Sequence, residues 1–209
     1  MKTKVVLCGY VIRFPFSVIS FPFICMHPNT LKLEDTAFLI IDVQEAFRES
    51  IASLGNIARQ IAAFVQGAKM LSLPILVTEQ YPKGLGHTVK EISDVLPTDI
   101  DLVEKTVFSS CGSMAFAERL KMLNRRQIIV AGIEAHICVN QTVHDLLAQN
   151  FQVHLLADCI SSRAEENKQI AFAKMQQSGA ILSSVEMALF EIMRDARHAE
   201  FKAIQKLIK

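Results

Sequence analysis

A chain of 209 residues, 51% apolar and 21% charged, is long enough for one substantial core and has the composition of a globular domain rather than a disordered or fibrous one. Its 22 basic and 21 acidic residues are interspersed and leave a net charge of +1, so no basic face marks it for nucleic acid. The cysteines Cys8, Cys25, Cys111, Cys138 and Cys159 are odd in number and lack the paired short spacings of a zinc site or a secreted disulfide framework, which points to reduced thiols and a cytoplasmic setting.

The first 25 residues differ from the rest. They are mostly apolar, and no acid precedes Glu34. Arg13 splits the apolar run and no small-residue cleavage site follows, which disfavours a secretory signal. Arg13, Pro15 and Pro22 also interrupt a span that a membrane anchor would need to keep apolar for about 20 residues. Two readings remain: an upstream extension outside the fold, with the domain at 26–209, or an organellar transit peptide that would direct the protein to mitochondria.

From Thr36 to Val43 an unbroken apolar strand ends in Asp42. A carboxylate there either caps the following turn or faces the crevice that open α/β sheets form beyond their strand ends. Ile57, Ile61, Phe64, Val65 and Met70 then recur at helical spacing within 51–73. A second strand follows at 74–78, with Pro74 at its first position, where no ladder donor is lost. Residues 80–87 form a loop whose Pro82, Gly84 and Gly86 let backbone approach a ligand. A short strand at 103–106 carries Lys105 toward a second loop, and Met114 to Leu123 reads as a short helix.

The strand Ile128-Ile129-Val130-Ala131 runs into Gly132 and then a helix with Val139, Val143, Leu146 and Leu147 on one face. The period changes near Cys138, which places that thiol at or near a helix N-terminus and predicts a lowered pKa. Further strands are expected at 152–157 and 180–182. Ser162 with Glu165, and Ser183 with Glu186, have capping-box spacing for the last two long helices.

Six strands alternating with helices predict a three-layer, doubly wound, Rossmann-like α/β fold with a mainly parallel sheet. Asp42, Lys105 and Cys138 all fall at or just beyond strand C-termini, so one crevice can hold an acid, a cation and a thiol, the parts of a nucleophilic site.

At these residues the chain resembles the isochorismatase-like, or cysteine hydrolase, superfamily. The resemblance runs from about Lys32 to Lys209. It is carried by Leu39-Ile40-Ile41-Asp42-Val43-Gln44, by Glu104-Lys105-Thr106 and by the elbow Gly132-Ile133-Glu134-Ala135-His136-Ile137-Cys138-Val139. The segment Thr78 to Gly86 looks most like the isochorismatase domain-containing proteins. The resemblance implies Asp42 as general base, Lys105 as electrostatic partner, and Cys138 as a nucleophile that forms an acyl-enzyme. It also implies a cis peptide between Ile133 and Glu134, an oxyanion hole from the Glu134 and Cys138 amides, and self-association into a homo-oligomer.

Nicotinamidases of the superfamily carry an Asp-x-His-x-x-His zinc site where this chain has only His87, so no metal or other cofactor is expected. The namesake isochorismatases lack the cysteine. The expected activity is therefore metal-independent hydrolysis of a C–N bond in a small amide-like substrate, with Phe47, Tyr81, Leu85 and Phe108 shaping the pocket and neither nucleic acid nor membrane as partner. A non-catalytic binding or scaffold protein on the same fold, and a redox-sensing thiol protein, stand as alternatives.

Overall fold

The computed structural model describes residues 27–209, together with the backbone of two short paired strands, β1 (Val5–Leu7) and β2 (Tyr10–Ile12). The reading of residues 1–25 as a leader otherwise lies outside the described residues.

The main sheet contains β3 (Thr36–Ile41), β4 (Ile75–Gln80), β5 (Val103–Lys105), β6 (Gln127–Gly132), β7 (Gln152–Ile160) and β8 (Ile181–Ser183). Its spatial order is β5-β4-β3-β6-β7-β8, and every neighbouring pair is parallel. The chain starts in the middle at β3, winds outward through β4 to β5, returns to β6 beside β3, and winds outward the other way. This is the doubly wound arrangement, with its switch point between β3 and β6.

Side-chain alternation explains the three layers. Phe38 and Ile40 of β3 face α1 (Leu54–Met70), and Leu39 and Ile41 face the opposite core. Short α2 (Pro82–Leu85) and α3 (Lys90–Ser93) follow β4. The second face is covered by α4 (Met114–Leu123), α5 (Asn140–Ala148) and α6 (Glu165–Gln177), through Phe116, Leu120, Val143, Leu146, Ala171 and Met175. The first face is completed by α7 (Val185–Met193) and α8 (Phe201–Leu207), through Leu189, Ile192 and Ile204. Residues of the central strands are buried on both sides, which is why they read as continuous apolar runs.

Three local expectations are corrected. Met70 is 38% exposed rather than part of the α1 stripe, because α1 ends there and Leu71 and Leu73 fill the core. Ser162 does not cap α6; its hydroxyl lies 3.0 Å from His136 Nδ1, and Ala164 holds the cap position. For α7 the capping hydroxyl is Ser184, accepting from Met187 N, while Asp158 accepts from Val185 N, so the cap lies one residue beyond Ser183. No helix among the described residues is long and apolar enough to cross a membrane.

Candidate active site

Asp42 leaves β3 in a left-handed conformation, φ +54°, a region where Asp is enriched among non-glycine residues. Its Oδ1 accepts from Thr78 Oγ1 at 2.7 Å and its Oδ2 from Lys105 Nζ at 2.6 Å. Thr78 reaches it from β4, the strand beside β3. Lys105 reaches it from β5, one strand farther, and its side chain is fully buried. Lysine almost never lies there without specific partners. It has four: Asp42 Oδ2, Gln80 Oε1 at 2.8 Å, Phe108 O at 3.1 Å and Val107 O at 3.2 Å.

Gln80 fixes the arrangement from the end of β4. Its side-chain amide donates to Thr106 O while its oxygen accepts from Lys105. Gln44, fully buried, accepts from Gln80 N and donates to Gln80 O and Gly86 O, which ties the exit of β3 to the 80–86 loop. Neither glutamine stands out in the sequence as a site residue. The usable signal for Gln80 is its place at a strand end beside Lys105, because an amide can bridge an ammonium and a backbone carbonyl.

The thiol arrives from β6. Gly132 has φ +135°, and a Cβ there would lie 2.7 Å from Ile41 N and closer still to Ile41 O, so only glycine lets β6 turn against the end of β3. The Ile133–Glu134 peptide is cis. The chain then passes through a π-helical turn, Ala135–Val139, before α5 begins at Asn140. Such turns recur at functional sites. Glu134 is buried, and its carboxylate accepts from Arg163 N and Nε, both at 3.0 Å; Ala135 N donates to Ser161 O.

Cys138 lies inside the π turn rather than ahead of a first α turn, and it is 7% exposed. Burial first, and the Asp42 carboxylate second, push its thiol up to about 12, with Lys105 opposing. This corrects the lowered pKa expected from a helix N-terminus: desolvation and a neighbouring carboxylate both disfavour the thiolate. With its pKa raised, the thiol keeps its proton near neutral pH, and it lines the same cavity as the Asp42 carboxylate, a group able to take that proton.

Asp42, Phe47, Gln80, Leu85, Phe108, Ile133, Glu134, Ile137 and Cys138 line one cavity of about 110 Å³. Phe47, Leu85 and Phe108, three of the four residues expected to shape a pocket, are among its lining residues. Tyr81 is not. It has φ +37° and is 54% exposed, and its ring packs over Gly84, where a Cβ would meet it at 2.7 Å. Among the described residues no group of three or more His, Cys, Asp or Glu side chains is placed to hold a metal, and His87, 77% exposed at the side chain, contacts Glu79 Oε2.

An acid, a cation and a thiol at the switch point of this fold can be compared with known proteins. Residues 36–187 match the isochorismatase domain model. The chain belongs to the isochorismatase family. Among its relatives, the mouse isochorismatase domain-containing protein 2A is 40% identical over 179 residues, which cover 84% of each chain. Isochorismatase domain-containing protein 1 of Salmo salar is 39% identical over 175 residues, 83% of this isochorismatase-family chain but 61% of the salmon protein. The solved structure of the MAR1 ribonuclease from Caenorhabditis elegans superposes with a TM-score of 0.82 at 37% identity, covering 86% of this chain and 92% of that one. YcaC from Pseudomonas aeruginosa, at 22% identity and a TM-score of 0.81, shares the isochorismatase fold.

Proposed function

We propose that this protein is a metal-independent cysteine hydrolase that cleaves a small amide-like substrate through an acyl-enzyme on Cys138. The observation that carries the reading is one cavity lined by both Asp42 and the Cys138 thiol, with Lys105 fully buried and paired to Asp42. Asp42 takes the Cys138 proton as sulfur attacks the substrate carbonyl carbon. The carbonyl oxygen becomes an oxyanion held by the Glu134 and Cys138 amides. As the intermediate collapses, Asp42 returns the proton to nitrogen, the C–N bond breaks and the amine leaves. Water then gives a proton to Asp42 and its hydroxyl to the thioester, and sulfur takes the proton back as the acid is released. Lys105 holds the Asp42 carboxyl in place through both half-reactions.

A raised thiol pKa does not favour the redox-sensor alternative, because oxidation tracks thiolate character and exposure. RNA cleavage, suggested by the name of the nematode relative, gains no support from the site, because the cavity is lined by no basic residue and Lys105 is buried and fully engaged. Self-association is part of the proposal, supported by the exposed apolar Met114, Met122 and Met187. A cytoplasmic setting is supported by the free thiols Cys111, Cys138 and Cys159.

The experiment is amide turnover in wild type and Cys138→Ala, with the acyl-enzyme trapped by acid quench and read as added mass on the Cys138 peptide. Loss of turnover in the variant and an adduct in wild type are expected. Full turnover in Cys138→Ala removes the mechanism, and a folded wild type that hydrolyses no amide favours the binding-protein alternative.

A further inference from the structure

We propose, resting on the hydrolase reading, that the site takes uncharged carboxamides whose acyl substituent is smaller than a benzene ring, and that it rejects carboxylate-bearing substrates. The cavity size comes first. At about 110 Å³ it is smaller than the roughly 150 Å³ apolar cavity that just holds benzene. Five of its nine lining residues, Phe47, Leu85, Phe108, Ile133 and Ile137, have side chains that cannot hydrogen-bond.

The charged and amide groups that line it, Asp42, Gln80 and Glu134, are already engaged, as is Lys105 behind Asp42. An ammonium has three donors, and Lys105 Nζ faces four oxygens, three of them neutral and one on Asp42. Gln80 uses its oxygen on Lys105 and its nitrogen on Thr106 O. Asp42 is held by Thr78 and Lys105. Arg163 gives Nε and its backbone amide to the lining residue Glu134 and leaves its head 57% exposed. The four charges, Asp42 with Lys105 and Glu134 with Arg163, therefore cancel in pairs.

A carboxylate on the acyl side would lose its water among apolar walls, beside two buried acids that already hold their own cations, Lys105 on Asp42 and Arg163 on Glu134. Such a group is excluded from an apolar site by the full cost of desolvating an unpaired charge. A methyl, vinyl or isobutyl group would gain by burial instead. Net charge does not decide the matter, because the whole chain carries only +1. The discrimination belongs to the cavity.

Iodoacetamide and iodoacetate differ in this one respect, and alkylation needs no turnover. Limiting labelling of the full-length native protein is read at the Cys138 peptide by mass spectrometry, and the ratio of the two rates is divided by the same ratio in the denatured protein. The expected normalised ratio favours iodoacetamide by at least about tenfold, equivalent to about 1.4 kcal/mol. A normalised ratio near or below unity overturns the proposal. A second arm measures ammonia released from isovaleramide and from malonamate, which replaces the isopropyl group with a carboxylate. Release from neither, with the alkylation ratio intact, removes the hydrolase reading and leaves the ligand class standing. Faster release from malonamate overturns the ligand class while keeping the reaction.

Discussion

Lys105 Nζ stands 2.6 Å from Asp42 Oδ2 with neither side chain more than 2% exposed, although 63 residues separate them in the chain. Water cannot replace either partner. Removing one leaves the other charged in a dry site, which costs more than the pair contributes when intact.

Lys105→Met is therefore expected to lose about 3–5 kcal/mol of stability, the usual cost of an orphaned buried charge. Turnover should fall with it. Asp42→Asn combined with Lys105→Met removes both charges and should recover part of the stability without recovering activity. Urea unfolding of wild type, Lys105→Met, Asp42→Asn and the double variant gives the coupling, and a double variant no more stable than Lys105→Met would contradict it.

The thiols predict an alkaline weakness. Burial pushes Cys138 up to about 12 and Cys111 to about 11, from an unfolded value of 9.0. With both pKa values raised in the fold, the stabilisation is complete below pH 9 and is lost as pH climbs toward 11 and 12, because the unfolded chain ionises first. Urea midpoints measured from pH 8 to 10.5 should fall, and fall less steeply in Cys138→Ala.

Gly132→Ala should prevent the elbow from forming. Its Cβ would meet backbone atoms of Ile41, which cannot swing away as a side chain can, at a φ that other residues avoid. A loss of at least about 3 kcal/mol is expected from strain and overpacking together. Thermal unfolding measures it, and an unchanged melting temperature would show that β6 and β3 separate more easily than their pairing suggests.

His154 is 1% exposed, its Nε2 has no hydrogen-bond partner, and burial lowers its pKa from 6.5 to about 4. A depressed histidine stabilises above the unfolded value and ceases to as pH drops through the folded one. Stability should decline between pH 6.5 and 4, and His154→Leu should flatten that limb. Unfolding at pH 7 and pH 4.5 for both proteins is the check.

Much of the fold can be read from the chain because its strands are buried on both faces. Runs such as Phe38 to Ile41 and Ile128 to Ala131 have no polar side to confuse their period. The crevice follows from the same reasoning, since Asp42, Lys105 and Cys138 each fall where a strand ends. What escapes the sequence depends on neighbours distant along the chain. The direction of the Cys138 shift is set by depth and then by Asp42, neither of which local helix geometry contains. Tyr81 turns outward because of its left-handed backbone and the bare face of Gly84. Gln44 and Gln80 look like ordinary polar residues until the loop they clamp is folded.

The pairing of β3 with β6 joins Thr36 to Gln127 across most of the two winding halves. At a ribosomal pace of about 5–20 residues per second, β3 leaves the exit tunnel roughly 5–20 s before its central partner. During that interval its inner edge is an apolar strand with no mate, open to pairing with another nascent chain. Chaperone demand and co-translational aggregation in this protein should therefore concentrate on the window between synthesis of residue 41 and residue 132, and a truncation ending after β5 should be far less soluble than the full chain.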